Sequence, residues 1–319
     1  MSAIRAAASQ AVKNRPTAVV QVDVDSYDVI ARAYGLPGVQ DGPDPIIARA
    51  MPVYLQLFAS FGVRATFFVV GRDLENEANL PFLAAALEAG HRVANHSYSH
   101  SDFAECDALA RREEVARAHE AILDRLGVAC SGFKAPCYAT DPGLVRVLEE
   151  LGYAYDSSMI ATVISPVVKT YYRLLLRKPI HPANWGYPAH LLSPRDPYRP
   201  SPGRIWRPGG AGLLEIPVTT MPLCKFPIHF SMVNILGSGL FKVFDALEGL
   251  TGGGFLNYAF HLADLVPDNA LPAAFYARPG LRRPLPWREE QAREVLRRIV
   301  RRYALTTGEE LAGSRSGAA

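Results

Sequence analysis

The 319-residue chain has no C-x-x-C pair among its four cysteines, no long apolar run and little excess charge. Each absence closes a class of function. Cys106, Cys130, Cys137 and Cys224 are scattered, which fits reduced thiols rather than a disulfide framework or a zinc knuckle. No stretch reaches the ~20 apolar residues of a membrane-crossing helix, so no integral segment is expected. A formal charge of +3 without a long Lys/Arg block argues against nucleic acid as a partner. Residues 1–15 hold basic residues and alanines but no continuous apolar stretch, so the expectation is no secretory signal and a cytoplasmic protein. Internal repeats are missing as well.

What is there can fill a large core, since 49% of the residues are hydrophobic. One domain is expected over residues 17–311, with a flexible N-terminus at 1–16 and a small, polar, disordered tail at 312–319. Strand-like segments at 17–22, 64–70 and 92–94 alternate with helical ones, the βαβα pattern of an α/β fold with a parallel sheet or barrel. Later strands are expected at 213–218, 254–261 and 303–306, and a basic helix at 287–302. The helix at 107–126 should bury a stripe of Leu109, Val115, Ala116, Ile122, Leu123 and Leu126, with His119 as a packing histidine beside it. Between about 160 and 212 the composition turns to Pro, Trp, Tyr and Arg, which predicts an irregular insertion.

Two motifs follow strand-like runs. Asp23-Val24-Asp25 ends the first, and residues two apart on a strand point to one face. His96 and His100 follow the third, and their spacing puts both rings on one side of a helical turn. Either motif alone is also what a turn, a cap or a surface helix yields. Together, one Asp and two His make a facial set with open positions, suited to zinc and also to iron, cobalt, nickel or manganese. A cation there would activate water and polarise a carbonyl, with Asp23 placed as general base.

On these residues the chain resembles the polysaccharide deacetylase family, also called NodB-like or carbohydrate esterase family 4. The resemblance implies a distorted (β/α) barrel carrying the Pro/aromatic-rich insertion. Asp23 and Asp25 resemble the first motif in its D-x-D variant, base then ligand, and His96-Ser97-x-x-His100 matches the second. Gly132-Phe133-Lys134-Ala135-Pro136-Cys137-Tyr138 is similar to the third, with Lys134 where the family usually has arginine. The implied oxyanion contact is the Cys137 backbone N–H. Asp156 occupies the place of the fourth motif, as a partner of Lys134 or a shaper of the pocket. His261 in Phe260-His261-Leu262 resembles the fifth, the general acid. The implied activity is hydrolysis of an N-acyl amino sugar, dependent on one divalent metal, zinc foremost.

The D-x-D motif is similar to the branch that includes the deformylase of undecaprenyl-phosphate aminoarabinose. A polyprenyl-phosphate-linked sugar would give a use to the apolar residues 228–236, Leu240, Phe241, Val243 and Phe244. Tyr171, Tyr172, Leu174, Leu175 and Leu176, with the basic Arg173, Arg177 and Lys178, would join them on a peripheral membrane face. Ordinary helix packing or an oligomer interface is the other use of the same residues. A soluble glycan or small metabolite as substrate, and a glycan-binding protein without turnover, are the alternatives in function.

Overall fold

The computed structural model describes residues 15–38, 42–100, 105–175 and 184–316. The first strand, β1 (Thr17–Val24), is buried along nearly its whole length. It reads as a continuous β-branched run because it has neighbours on both edges and side chains covered on both faces. Along one edge it pairs with β9 (Phe255–His261) from Thr17 to Asp23. Along the other it pairs with β2 (Thr66–Val69), while the short β10 (Ala304–Leu305) meets its first two residues.

From β2 the sheet continues through β3 (Arg92–Asn95), β4 (Gly132–Phe133), β5 (Tyr155–Asp156) and β8 (Leu214–Glu215), every pairing parallel. After β8, Thr219 N donates to Asn257 O at 3.1 Å, which turns the far edge of the sheet back toward β9. The result is the curled, parallel, half-closed barrel that was expected. On β4 a glycine is required, because a Cβ on Gly132 would lie 2.0 Å from the Tyr155 ring. Register brings Asp23 level with His261 on one side and Phe68 on the other, so the strands' carboxyl ends form one rim.

Helices pack outside the sheet. The helix α1 (Tyr27–Tyr34) starts directly after the D-x-D motif, where Ser26 Oγ accepts from Val29 N and caps it. Next come α2 (Pro45–Phe61), α3 (Leu80–Glu88), α4 (Ala108–Leu126) and α5 (Pro142–Glu150). Tyr54 and Phe58 of α2 meet Phe67 and Phe260 of the strands edge-on, forming the centre of the core. Each fully buried aromatic of this kind contributes roughly 1.5–3 kcal/mol.

Several expectations give way. On α4, Val115 and Ile122 are buried as predicted, but Ala118 completes the stripe, while Leu109 is 75% exposed and Leu123 43%. The helix lies with a narrow contact face against the turn at Gly71 and against α5. The insertion is more regular than its composition suggested, with α6 (Ser165–Leu175) and an antiparallel hairpin of β6 (Pro200–Ser201) and β7 (Arg204–Pro208). The tail expected to be disordered from 312 continues α10 (Gly308–Ser316), because Leu311 and Ala312 pack against the sheet.

The apolar segment at 228–244 divides. In α7 (Phe230–Leu236) and α8 (Gly239–Thr251), Phe230, Val233, Phe241 and Phe244 are core residues, while Ile235, Leu236 and Val243 are exposed. The side chains of Tyr171, Tyr172 and Leu175, and residues Leu176, Arg177 and Lys178, lie outside the described residues. Among the described residues no single helix is long and apolar enough to cross a membrane. The last long helix, α9 (Leu285–Arg302), carries a fully buried Arg288. Its guanidinium donates to the carbonyls of Asp264, Val266 and Arg283 and pairs with Asp268, so this helix pins the turn that follows β9.

Candidate active site and metal centre

At the carboxyl rim, Asp25, His96 and His100 bring one donor atom each to within 4.8 Å of one another. Asp25 Oδ1 lies 3.5 Å from His96 Nε2 and 3.3 Å from His100 Nε2, and it is buried without a hydrogen-bond donor among the described residues. His96 Nδ1 donates to the Lys134 carbonyl oxygen at 2.7 Å, which fixes the tautomer and leaves Nε2 for a cation. Burial alone would raise the Asp25 pKa, yet His100 and His96 together hold it well below the usual carboxylate range. Two imidazoles and one carboxylate facing a common point are a donor set for a borderline cation.

The histidines do not sit on a helical turn. The chain from His96 to His100 is an irregular loop, with Ser97 at φ 63° and His100 at φ 51°. Two side chains build it: Asn95 Oδ1 accepts from Ser97 N at 2.8 Å, and Ser97 Oγ accepts from His100 N at 3.2 Å. Asn95 is itself held by Val115 O and the Tyr153 hydroxyl. These two residues, adjacent to the ligand positions in sequence, therefore shape the loop that aims both rings.

Asp23 stands beside this centre, 3% exposed. Lys134 Nζ donates to its Oδ1 at 2.7 Å, and His261 Nε2 lies 3.8 Å from its Oδ2. Lys134 thus reaches the carboxylate directly, from 111 positions away in sequence. His261 ends β9, and Asp264 holds it: His261 N donates to Asp264 Oδ2 at 2.9 Å, and Ser231 Oγ bridges His261 Nδ1 (3.0 Å) and Asp264 Oδ1 (2.9 Å). Tyr54 fixes the same residue by donating from its hydroxyl to the His261 carbonyl at 2.9 Å. Burial disfavours the His261 cation, but Asp264, Asp23 and Asp25 outweigh it and raise its pKa to about 8.

These groups open into one cavity of about 810 Å³, lined by Asp23, Asp25, His96, His100 and His261 together with Cys137 and Tyr138. Cys137 and Tyr138 have φ of 52° and 56°, two consecutive left-handed residues that are not glycine. Such backbone costs of order 1–3 kcal/mol per residue and persists where the surroundings impose it. Burial, then the charges of Asp23 and Asp25, raise the Tyr138 pKa well above that of a free phenol.

Lys134, Pro136 and Asp156 were expected at the substrate, and they do not line the cavity. Each is buried: Asp156 ends β5, Lys134 directly follows β4, and Pro136 opens the turn at 136–138 with its ring in the core. Asp156 bonds Ser158 Oγ at 2.5 Å rather than Lys134, and Ser158 Oγ in turn accepts from Ala135 N at 2.7 Å, bracing the Lys134 segment. Burial raises the Asp156 pKa to about 6, and Glu215 beside it is raised further by burial and by Asp156. His119 is a packing histidine, its ring edge-on to Tyr153. Sequence reading missed Asp264, Ser231 and His229. A signal existed for Asp264, three residues past His261, but none for the other two, which come from an apolar segment far away in sequence.

A family model described as Polysaccharide deacetylase matches residues 39–155. The match supports the polysaccharide deacetylase family. The chain is 28% identical over 151 residues to a peptidoglycan deacetylase of Helicobacter pylori, covering 46% of this chain and 50% of that protein. It is 37% identical over 83 residues to a chitooligosaccharide deacetylase of Rhizobium leguminosarum bv. trifolii, covering 26% of this chain and 36% of the relative. The chain therefore spans half or less of the length of these curated relatives. A solved structure from Mycobacterium smegmatis, assigned to the polysaccharide deacetylases, superposes with a TM-score of 0.58 at 18% identity, covering 96% of this chain and 92% of that one. That superposition shows the NodB-like barrel fold.

Proposed function

We propose that the chain is a metal-dependent hydrolase that removes an N-acyl group, acetyl or formyl, from an amino sugar. One observation carries this reading. A three-donor cation site has a carboxylate on a lysine tether beside it and an acid-competent histidine 3.8 Å from that carboxylate. Asp25, His96 and His100 would hold the ion, zinc by the match of two imidazoles and a carboxylate, and Asp25 Oδ1 has no hydrogen-bond partner among the described residues. When bound, the cation supplies Lewis acidity, activating water and polarising the acyl carbonyl.

Asp23 takes the proton from the attacking water. Lys134 holds one oxygen of that carboxylate, doing from a single ammonium what an arginine does in the resembled motif. The Cys137 backbone N–H is assigned to the acyl oxygen as it gains charge. His261, raised to about 8, keeps a proton at neutral pH and gives it to the departing nitrogen.

The finer reading is a lipid-linked or other cell-envelope precursor sugar, in line with the D-x-D branch of aminoarabinose deformylases. It rests on the apolar part of the cavity's lining, which includes Ile160, Ile164, Val167, Val168, Met232 and Ile235. Val167 is 67% exposed and Ile235 41%, so this apolar lining runs out to the mouth. A cavity of about 810 Å³ exceeds one sugar, and the extra room is lined for hydrocarbon. Peripheral contact with a membrane at its cytoplasmic face would follow. The alternative, a soluble glycan, draws on the names of the relatives.

The test is mass spectrometry of the zinc-loaded protein with soluble chitooligosaccharides and with polyprenyl-phosphate N-acyl amino sugars, with Asp23→Asn as control. Acyl loss from the lipid-linked set alone, abolished in the control, is expected. Loss from the soluble set would replace the finer reading, and zinc binding without turnover of either set would overturn the hydrolase.

A further inference from the structure

The cavity wall carries another histidine. His229 precedes α7 and its ring meets that of His261 edge-on, with centroids 6.0 Å apart and planes at 79°. It lines the same cavity as Asp23 and Asp25, yet it is not one of the three donors that converge on the cation site. Its Nδ1 is buried and has no hydrogen-bond partner among the described residues. Tyr138 Oη, also of a cavity-lining residue, is in the same condition.

Leaving a buried polar atom unpaired costs about 1–3 kcal/mol, and a fold keeps such atoms chiefly where something outside the protein completes them. Two of them in residues that line one cavity, both within electrostatic reach of Asp23 and Asp264, mark where a polar ligand belongs. Environment also divides the two histidines. Burial, then the His261 charge, pushes the His229 pKa down to about 4, while that of His261 rises to about 8. His261 is thus the proton carrier, and His229 stays an uncharged ring with one donor and one acceptor.

An amino sugar presents hydroxyls on carbons next to the one bearing the amide nitrogen, and each hydroxyl can donate and accept. We propose that His229 is a substrate contact that hydrogen-bonds such a hydroxyl beside the scissile amide, with Tyr138 Oη as the second partner. This rests on the deacylase reading above. It adds that the site recognises a hydroxylated ring at the amide and would discriminate against simple N-acyl amines.

Two variants test it: His229→Leu, which keeps bulk and loses hydrogen bonding, and His229→Gln, which keeps an amide donor and acceptor. On a substrate turned over by the parent, His229→Leu is expected to lose about 10- to 100-fold in kcat/KM, with zinc content and Tm unchanged, and His229→Gln to recover part of the loss. A readout independent of turnover uses zinc-loaded Asp23→Asn protein. There the imidazole ¹⁵N resonances of His229 should move on addition of chitotriose or a short polyprenyl-phosphate N-acetylglucosamine. A kcat/KM within about twofold of the parent in His229→Leu, or unmoved resonances at a concentration that calorimetry shows to be saturating, would overturn the proposal while leaving the deacylase standing. If His229→Leu loses zinc or unfolds, the resonances decide alone. No turnover and no binding of either probe would remove the deacylase reading and this inference with it.

Discussion

The two sides of the cavity are built by different means. On the ligand side, the loop at 96–100 and the turn at 137–138 hold their groups through backbone: four left-handed non-glycine residues and a ring bonded to a main-chain carbonyl. On the acid side, a regular strand delivers His261, and side-chain charge does the rest, through Asp264, Ser231 and Asp23. The ligand side therefore depends on a backbone shape that Asn95 and Ser97 set, not the ligand rings themselves. The acid side depends on electrostatics that one isosteric change can undo.

The sharpest break falls on the ligand side. His96→Ala and His100→Ala are each expected to lose zinc and at least about 10³-fold in activity, while circular dichroism and Tm stay near the parent. Unfolding of either variant would show that the loop's shape needs its rings. Asp23→Asn should retain zinc in metal analysis and lose about 10²- to 10⁴-fold in turnover. Lys134→Met tests the seam between the sides, since it strands a buried carboxylate. About 3–5 kcal/mol of stability should disappear in denaturant unfolding, and much less would mean that Asp23 finds another partner.

On the acid side the effect is a shifted titration. In metal-free protein, NMR should find His261 titrating near pH 8, and Asp264→Asn should bring it down toward the ordinary ~6.5. Because folding raises this pKa, the stability it contributes is fully present below pH ~6.5 and is lost as pH rises through about 8. Urea unfolding of the parent and of Asp264→Asn should converge above that range. Ser231→Ala, which removes only the bridge between the two, is expected to cost about 1 kcal/mol and a few-fold in rate.

The same contrast explains what could be read from sequence. Strand ends, the D-x-D pair and the histidine spacing were legible because local period and chain order encode them. The parallel register of β1 and β9 then gave those residues a common rim. The helical turn expected at 96–100 was wrong because spacing alone cannot distinguish a helix from a loop shaped by Asn95 and Ser97. Lys134 was visible, but its grip on Asp23 was not, since a 111-residue separation is closed only by the topology. Leu109 defied the buried stripe for a similar reason, because helical period says which residues share a face, not how much of that face is covered.

The buried Arg288 carries a consequence for inheritance. The stretch matched by the family model ends at residue 155, while His261, Ser231, Asp264 and the guanidinium that pins their turn all lie beyond it. His261, Ser231, Asp264 and Arg288 should travel as a linked set, kept together in lineages that keep the chemistry and released together in lineages that abandon it.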